Sequence, residues 1–163
     1  MTDSKDSLYL HAFYPEESLK ITNVIHGKEK ILIQIKSVTN SCICPKCGCV
    51  TDKYHGTYIR KVQDLPILGK SVQLEINAHE YDCINAECDV TSIAENFNGF
   101  LNTYSRMTER CADFVCTLAL ETSCEGCARI CKSLGINISG DTVIRLLLKR
   151  YESLPKPEVS DVI

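Results

Sequence analysis

The sequence predicts an α+β protein: an N-terminal β-rich, zinc ribbon-like domain followed by a C-terminal three-helix helix-turn-helix domain. Three observations predict it. Two close cysteine pairs, Cys44/Cys47 and Cys83/Cys88, flank strand-patterned sequence. Alternation with a period of two, rich in β-branched residues, runs through residues 31–36 and 70–81. Apolar residues at helical spacing take over at about Met107. The predicted order is a β-hairpin region over 1–40, a zinc-binding β domain over 41–95, a linker over 96–106, a helix-turn-helix domain over 107–152 and a polar tail over 153–163.

Residues 18–37 read as a hairpin. Leu19, Ile21, Val24 and Ile25 precede the polar turn His26-Gly27-Lys28-Glu29-Lys30, after which Ile31, Ile33 and Ile35 alternate with Leu32, Gln34 and Lys36. Residues 41–50 form a cysteine knuckle. Residues 54–63 are a second strand region, with Tyr54, Tyr58, Ile59 and Val62. Asp64 to Gly69 is expected as a loop, because Pro66 and Gly69 both interrupt a ladder. Val72, Leu74, Ile76 and Ala78 alternate with Gln73, Glu75, Asn77 and His79, a half-buried strand that delivers Cys83 into the second knuckle. Residues 89–105 have weak periodicity. Thr108 caps a first helix bearing Cys111, Phe114, Val115 and Leu118. Ser123 caps a second, with Cys127, Ile130, Cys131 and Leu134 on one face, and Gly135 ends it. Ser139 caps a third, with Asp141 in its first turn and Val143, Leu146 and Leu147 as its apolar stripe.

Four thiolates at this spacing complete a tetrahedron around one structural zinc, with no position left open for a substrate or water. The residues assigned to the metal are Cys44, Cys47, Cys83 and Cys88. Cys42 and Cys49 bracket the first pair and leave its register ambiguous; Pro45 and Gly48 suit a tight knuckle at Cys44 and Cys47. Cys44-Pro45-Lys46-Cys47 could instead be a redox motif, but that chemistry wants a helix N-terminus beside it, and strands flank it here. His55 and His79 are weighed as ligands and read as strand-face histidines. Cys124, Cys127 and Cys131 share one helical face, which suits an iron–sulfur cluster or, more simply, a helix core. A region of about 50 residues is small for a self-sufficient core, so the metal is expected to staple it and Cys44→Ser or Cys83→Ser to unfold the front half.

Eleven cysteines, an odd number, exclude a complete disulfide framework within one chain of 163 residues. Met1–Asp6 is polar, and no apolar stretch approaches the roughly 20 residues of a membrane span. The expectation is a cytoplasmic chain with no membrane partner. The net charge of −3 argues against strong non-specific nucleic-acid binding, yet residues 106–150 are net basic. Cys127 through Arg150 fits a helix-turn-helix whose third helix enters the major groove. There Asp141 or Thr142 would reach base edges, Arg145 would pair with guanine or a phosphate, and Lys149 and Arg150 would contact the backbone.

Several blocks, in order, carry a resemblance: Cys44-Pro45-Lys46-Cys47-Gly48; His55 to Pro66, which includes Asp64-Leu65-Pro66; Gly69-Lys70-Ser71-Val72; Tyr81-Asp82-Cys83 to Cys88; Ala94-Glu95; and Leu134 to Arg145. Over roughly residues 20–150 the chain resembles the N-terminal portion of ISL-three family insertion-sequence transposases. The resemblance implies a zinc finger and a helix-turn-helix that recognise the double-stranded terminal inverted repeats of the element. It implies no catalysis here, since the family's acidic catalytic domain follows this portion and the chain stops at Ile163. Candidate protein partners are a second copy and a full-length transposase. The competing expectations are a zinc-stabilised protein-interaction module, a repurposed transcriptional regulator and a thiol redox enzyme.

Overall fold

The structure is a computed structural model and describes residues 18–155. Residues 1–17 of the expected hairpin region and 156–163 of the expected tail lie outside the described residues. The rest is mixed α+β, strands first and three helices last. The strands are β1 (Leu19–His26), β2 (Lys30–Ser37), β3 (Cys42–Ile43), β4 (Val50–Thr51), β5 (Tyr54–Ile67), β6 (Lys70–Asp82) and β7 (Ser92–Ala94). The helices are α1 (Glu109–Leu120), α2 (Cys124–Leu134) and α3 (Gly140–Ser153).

Two hairpins build the main sheet, whose order is β1-β2-β6-β5, with β7 added to the far end of β6. β1 and β2 pair antiparallel, as do β5 and β6; the hairpins meet through a parallel β2–β6 ladder, Lys30↔Ser71 through Lys36↔Asn77. The period-two residues on one face form the core: Ile31, Ile33, Ile35, Val62, Val72, Leu74, Ile76 and Ala78. β3 and β4 make a separate two-stranded hairpin.

Two stretches differ from the sequence expectation. Asp64 to Ile67 is strand rather than loop, and the tight turn is Leu68-Gly69 alone, with φ of 50° and 77°. Positive φ at both central residues is the signature of a type I′ hairpin turn. Pro66 is tolerated because the ladder slips between Asp64 and Ile67, so its missing N–H falls in an irregularity of an edge strand. Residues 96–106, expected as a linker, carry Phe97, Phe100 and Leu101 into the sheet core. The outer edge of β5 is also bridged there: Gln63 N donates to the Arg106 carbonyl at 2.8 Å and Thr108 N to the Gln63 carbonyl at 3.0 Å.

The helices form where their caps stand. Thr108, Ser123 and Ser139 each accept a hydrogen bond from a backbone amide in the first turn they open. Cys111, Val115, Cys127, Cys131, Ile136 and Val143 are buried between them, with Leu65 of β5 packed on the same cluster. Gly135 ends α2 at φ 94°, and the Ile136 amide returns to the Cys131 carbonyl at 2.9 Å.

Candidate metal centre

The first knuckle is a turn held by its own backbone. The Gly48 amide donates to the Cys44 carbonyl and the Cys44 amide to the Cys49 carbonyl, both at 2.9 Å. The positive φ of Gly48, 72°, lets the chain reverse there without a Cβ penalty. β6 supplies the second knuckle, where the Cys88 amide donates to the Asn85 carbonyl at 3.0 Å and the Glu87 amide to Asn85 Oδ1 at 3.0 Å. The buried Thr51 hydroxyl donates to the Asp82 carbonyl at 2.8 Å, and the Asp82 amide to the Lys53 carbonyl at 2.8 Å. Those bonds fix one knuckle against the other.

The four sulfurs of Cys44, Cys47, Cys83 and Cys88 all lie within 4.8 Å of one another. Cys44 Sγ is 3.9 Å from Cys88 Sγ, and Cys47 Sγ is 3.7 Å from Cys83 Sγ. A zinc tetrahedron with Zn–S of about 2.3 Å requires S···S of about 3.8 Å. The donor set therefore fits one structural zinc. Cys44 is buried, Cys83 and Cys88 are half-buried and Cys47 is exposed.

Without a cation the four thiols compete for charge. The Cys49 backbone amide holds the Cys47 thiol down to about 6. At Cys83 the Asn85 amide also lowers the value, but desolvation and the neighbouring thiols outweigh it and push it up to about 12. One thiolate forms readily and the next is opposed by it; a divalent cation removes that opposition.

The register ambiguity resolves on the same geometry. Cys42 and Cys49 turn their sulfurs to the carbonyls of Ile43 and Val50, at 3.7 and 3.6 Å, and stand outside the cluster. His55 lies 2.8 Å from Asp82 through Nδ1, and His79 is 3.2 Å from the Thr39 carbonyl; neither joins the sulfurs. Lys53 and His55 hold the Asp82 carboxyl below its ordinary value, Lys53 the more strongly.

Cys127 and Cys131 are buried in the helical core with sulfurs 3.9 Å apart, and Cys124 packs at its margin. Burial pushes Cys131 up to about 11 and Cys111 up to about 12, which keeps both protonated. Among the described residues no second metal-holding group accompanies the four-sulfur cluster.

The predicted DNA-contact residues fall on α3. Asp141, Arg145 and Lys149 are exposed. Thr142 is half-buried, its hydroxyl 3.0 Å from that of the cap residue Ser139. Arg150 is exposed but paired with Asp113 of α1. The sequence reasoning missed Lys46–Asp89, an exposed pair at 2.5 Å that links the two knuckles. It named Glu95 only within the Ala94-Glu95 block and missed its role: the buried carboxylate accepts from Ser37 Oγ at 2.6 Å, from Thr39 Oγ1 and from the His79 amide, tying β7 to the sheet. Neither has a spacing signal.

Residues 40–88 match the family described as the zinc-finger of transposase IS204/IS1001/IS1096/IS1165. The matched span holds all four sulfurs. No curated protein and no solved structure matches the chain. Together the match and the geometry support one structural zinc in a region similar to the N-terminal part of ISL-three family transposases.

Proposed function

We propose that the chain is the sequence-specific DNA-binding part of a transposase, recognising the terminal inverted repeats of its element and leaving strand transfer to another domain or chain. The carrying observation is the transposase zinc-finger match, which falls on a four-thiolate centre with no open coordination position. The site thus serves to position the chain, and its chemistry is structural. α2, the turn through Gly135 and α3 act as a helix-turn-helix, with the N-terminal end of α3 entering the major groove. Exposed Asp141 and Arg145 reach base edges there. Thr142 donates or accepts through a hydroxyl already oriented by Ser139. Lys149 takes a phosphate, and Arg150 does so on leaving Asp113. The working compartment is the cytoplasm, where bacterial DNA is found; among the described residues no helix is long and apolar enough to cross a membrane.

A protein-interaction role has one observation in its favour. Ile144, Leu148 and Tyr151 are 45%, 55% and 75% exposed and lie on one side of α3. A second copy or a full-length transposase would cover them. Selection of bound sequences from a randomised duplex pool, with a salt titration, separates the two roles. DNA recognition gives a defined site whose affinity falls steeply with salt. Arg145→Ala is expected to weaken that site by about 1–3 kcal/mol and to relax one base position. No enriched site, or binding indifferent to salt, transfers the role to the apolar side of α3.

A further inference from the structure

The solvent face of the main sheet carries a charge pattern that α3 does not account for. Cross-strand partners project from the same face. One row therefore runs Lys20, Lys36, Asn77 and Ile59 across β1, β2, β6 and β5, and the next runs Asn23, Gln34, Glu75 and Lys61. Lys30, opposite Ser71, extends the face along β2. Its ionic side chains are thus Lys20, Lys30, Lys36 and Lys61 against Glu75 alone, on a chain of net charge −3. All four lysines are exposed. Lys20 and Lys36 are direct cross-strand neighbours, an arrangement that destabilises a sheet unless an anion lies over it. Between the lysines stand the amides of Asn23, Gln34, Gln73 and Asn77, with Leu32 half-buried among them and Ile25 and Ile59 exposed on the two outer strands. Four lysines among amides suit phosphates and sugars.

Position supports the same partner. Gln63 shares this face and binds the turn that leads into α3: Asn137 N donates to Gln63 Oε1 at 2.9 Å. Gly135 of that turn lies against Ser71, also on this face; a Cβ there would stand 3.1 Å from the Ser71 amide. The lysine face and the N-terminal end of α3 therefore flank one turn. Across three strand spacings the face is about 14 Å wide, close to the roughly 12 Å width of the major groove.

We propose that the open face of the sheet is a second DNA-backbone contact surface that extends the footprint of α3. This rests on the DNA-binding function proposed above. The test uses the full zinc-loaded chain carrying Lys20→Gln, Lys36→Gln and Lys61→Gln together. It is titrated with salt against a duplex of mixed sequence and against a selected duplex. Three lost phosphate contacts should reduce the slope of log affinity against log salt by about 2 to 3 on both duplexes. Base preference and zinc content should stay as in the parent, because all three side chains are exposed, and the melting temperature should not fall, because the Lys20–Lys36 repulsion is relieved. An unchanged slope overturns the proposal and leaves the face to an acidic protein surface, while Arg145→Ala still tests α3 by its effect on base preference. A parent chain that binds neither duplex overturns both.

Discussion

The carboxylate of Asp64 is 1% exposed and accepts hydrogen bonds from Thr108 Oγ1 at 2.6 Å, Arg110 Nε at 2.8 Å, Arg110 Nη2 and the Leu65 amide at 2.8 Å. Thr108 is also the cap of α1, so one side chain of β5 fixes where the first helix starts. Burial alone would raise the Asp64 carboxyl, but the hydrogen bonds from Arg110 and Thr108 and the charge of Arg110 outweigh it and hold the group below its ordinary value. Its contribution to stability is thus complete above the unfolded carboxyl pKa of about 3.9. It is lost as pH falls through the lower native value. Asp64→Asn is expected to cost about 3 kcal/mol at neutral pH, with the gap to the parent closing in strong acid. Urea melts across pH check this, and a neutral-pH midpoint equal to the parent's rules it out. The sequence displays Asp64-Leu65-Pro66 as a block but not its purpose, because Thr108 and Arg110 lie 44 and 46 residues away. The four metal cysteines were legible for the opposite reason: each pair is local, and its spacing alone brings two sulfurs together.

The three helices could be read from their caps and stripes because those signals also sit within a few residues of each other. Gly135 is one such signal with two duties. It takes φ 94° to end α2, and its missing side chain lets the turn approach Ser71 of β6. Gly135→Ala is expected to destabilise by about 2 kcal/mol, from the left-handed backbone and the close amide together. Thermal melting gives the size, and faster amide exchange at Ile136 gives the place; an alanine variant as stable and as protected as the parent would show that the turn gives way freely. Two elements escaped sequence reasoning on physical grounds. Pro66 and Gly69 look like ladder breakers, yet an edge strand absorbs a proline where its register slips. Phe97, Phe100 and Leu101 fill the sheet core from irregular chain, which leaves no period to detect. The lysine face was equally hidden, because alternation on three strands spreads its members between Lys20 and Lys61 while the net charge of the chain is negative.

At the scale of the molecule, the zinc site and the sheet core are separate supports. The sequence suggested that the metal staples the whole front half. The structure instead gives the sheet its own apolar core, drawn from β2, β5 and β6 and from Phe97, Phe100 and Leu101, with none of the metal cysteines in it. Zinc removal by a chelator is therefore expected to release residues 41–53 and 83–91 while β2 and β6 keep their amide protection. Hydrogen exchange on the stripped protein reads this directly, and loss of protection throughout the sheet would restore the staple. The parallel ladder between β2 and β6 has a consequence for biosynthesis. Neither hairpin needs the other in order to close, but β2 gains its full second ladder only after the chain through Asn77 exists. A nascent chain thus carries Ile31, Ile33 and Ile35 on a strand with one open edge throughout synthesis of the first knuckle, β5 and β6. That interval is when one emerging chain can pair with another, and Lys30 and Lys36, which flank those isoleucines on the strand, are its built-in guard against aggregation on the ribosome.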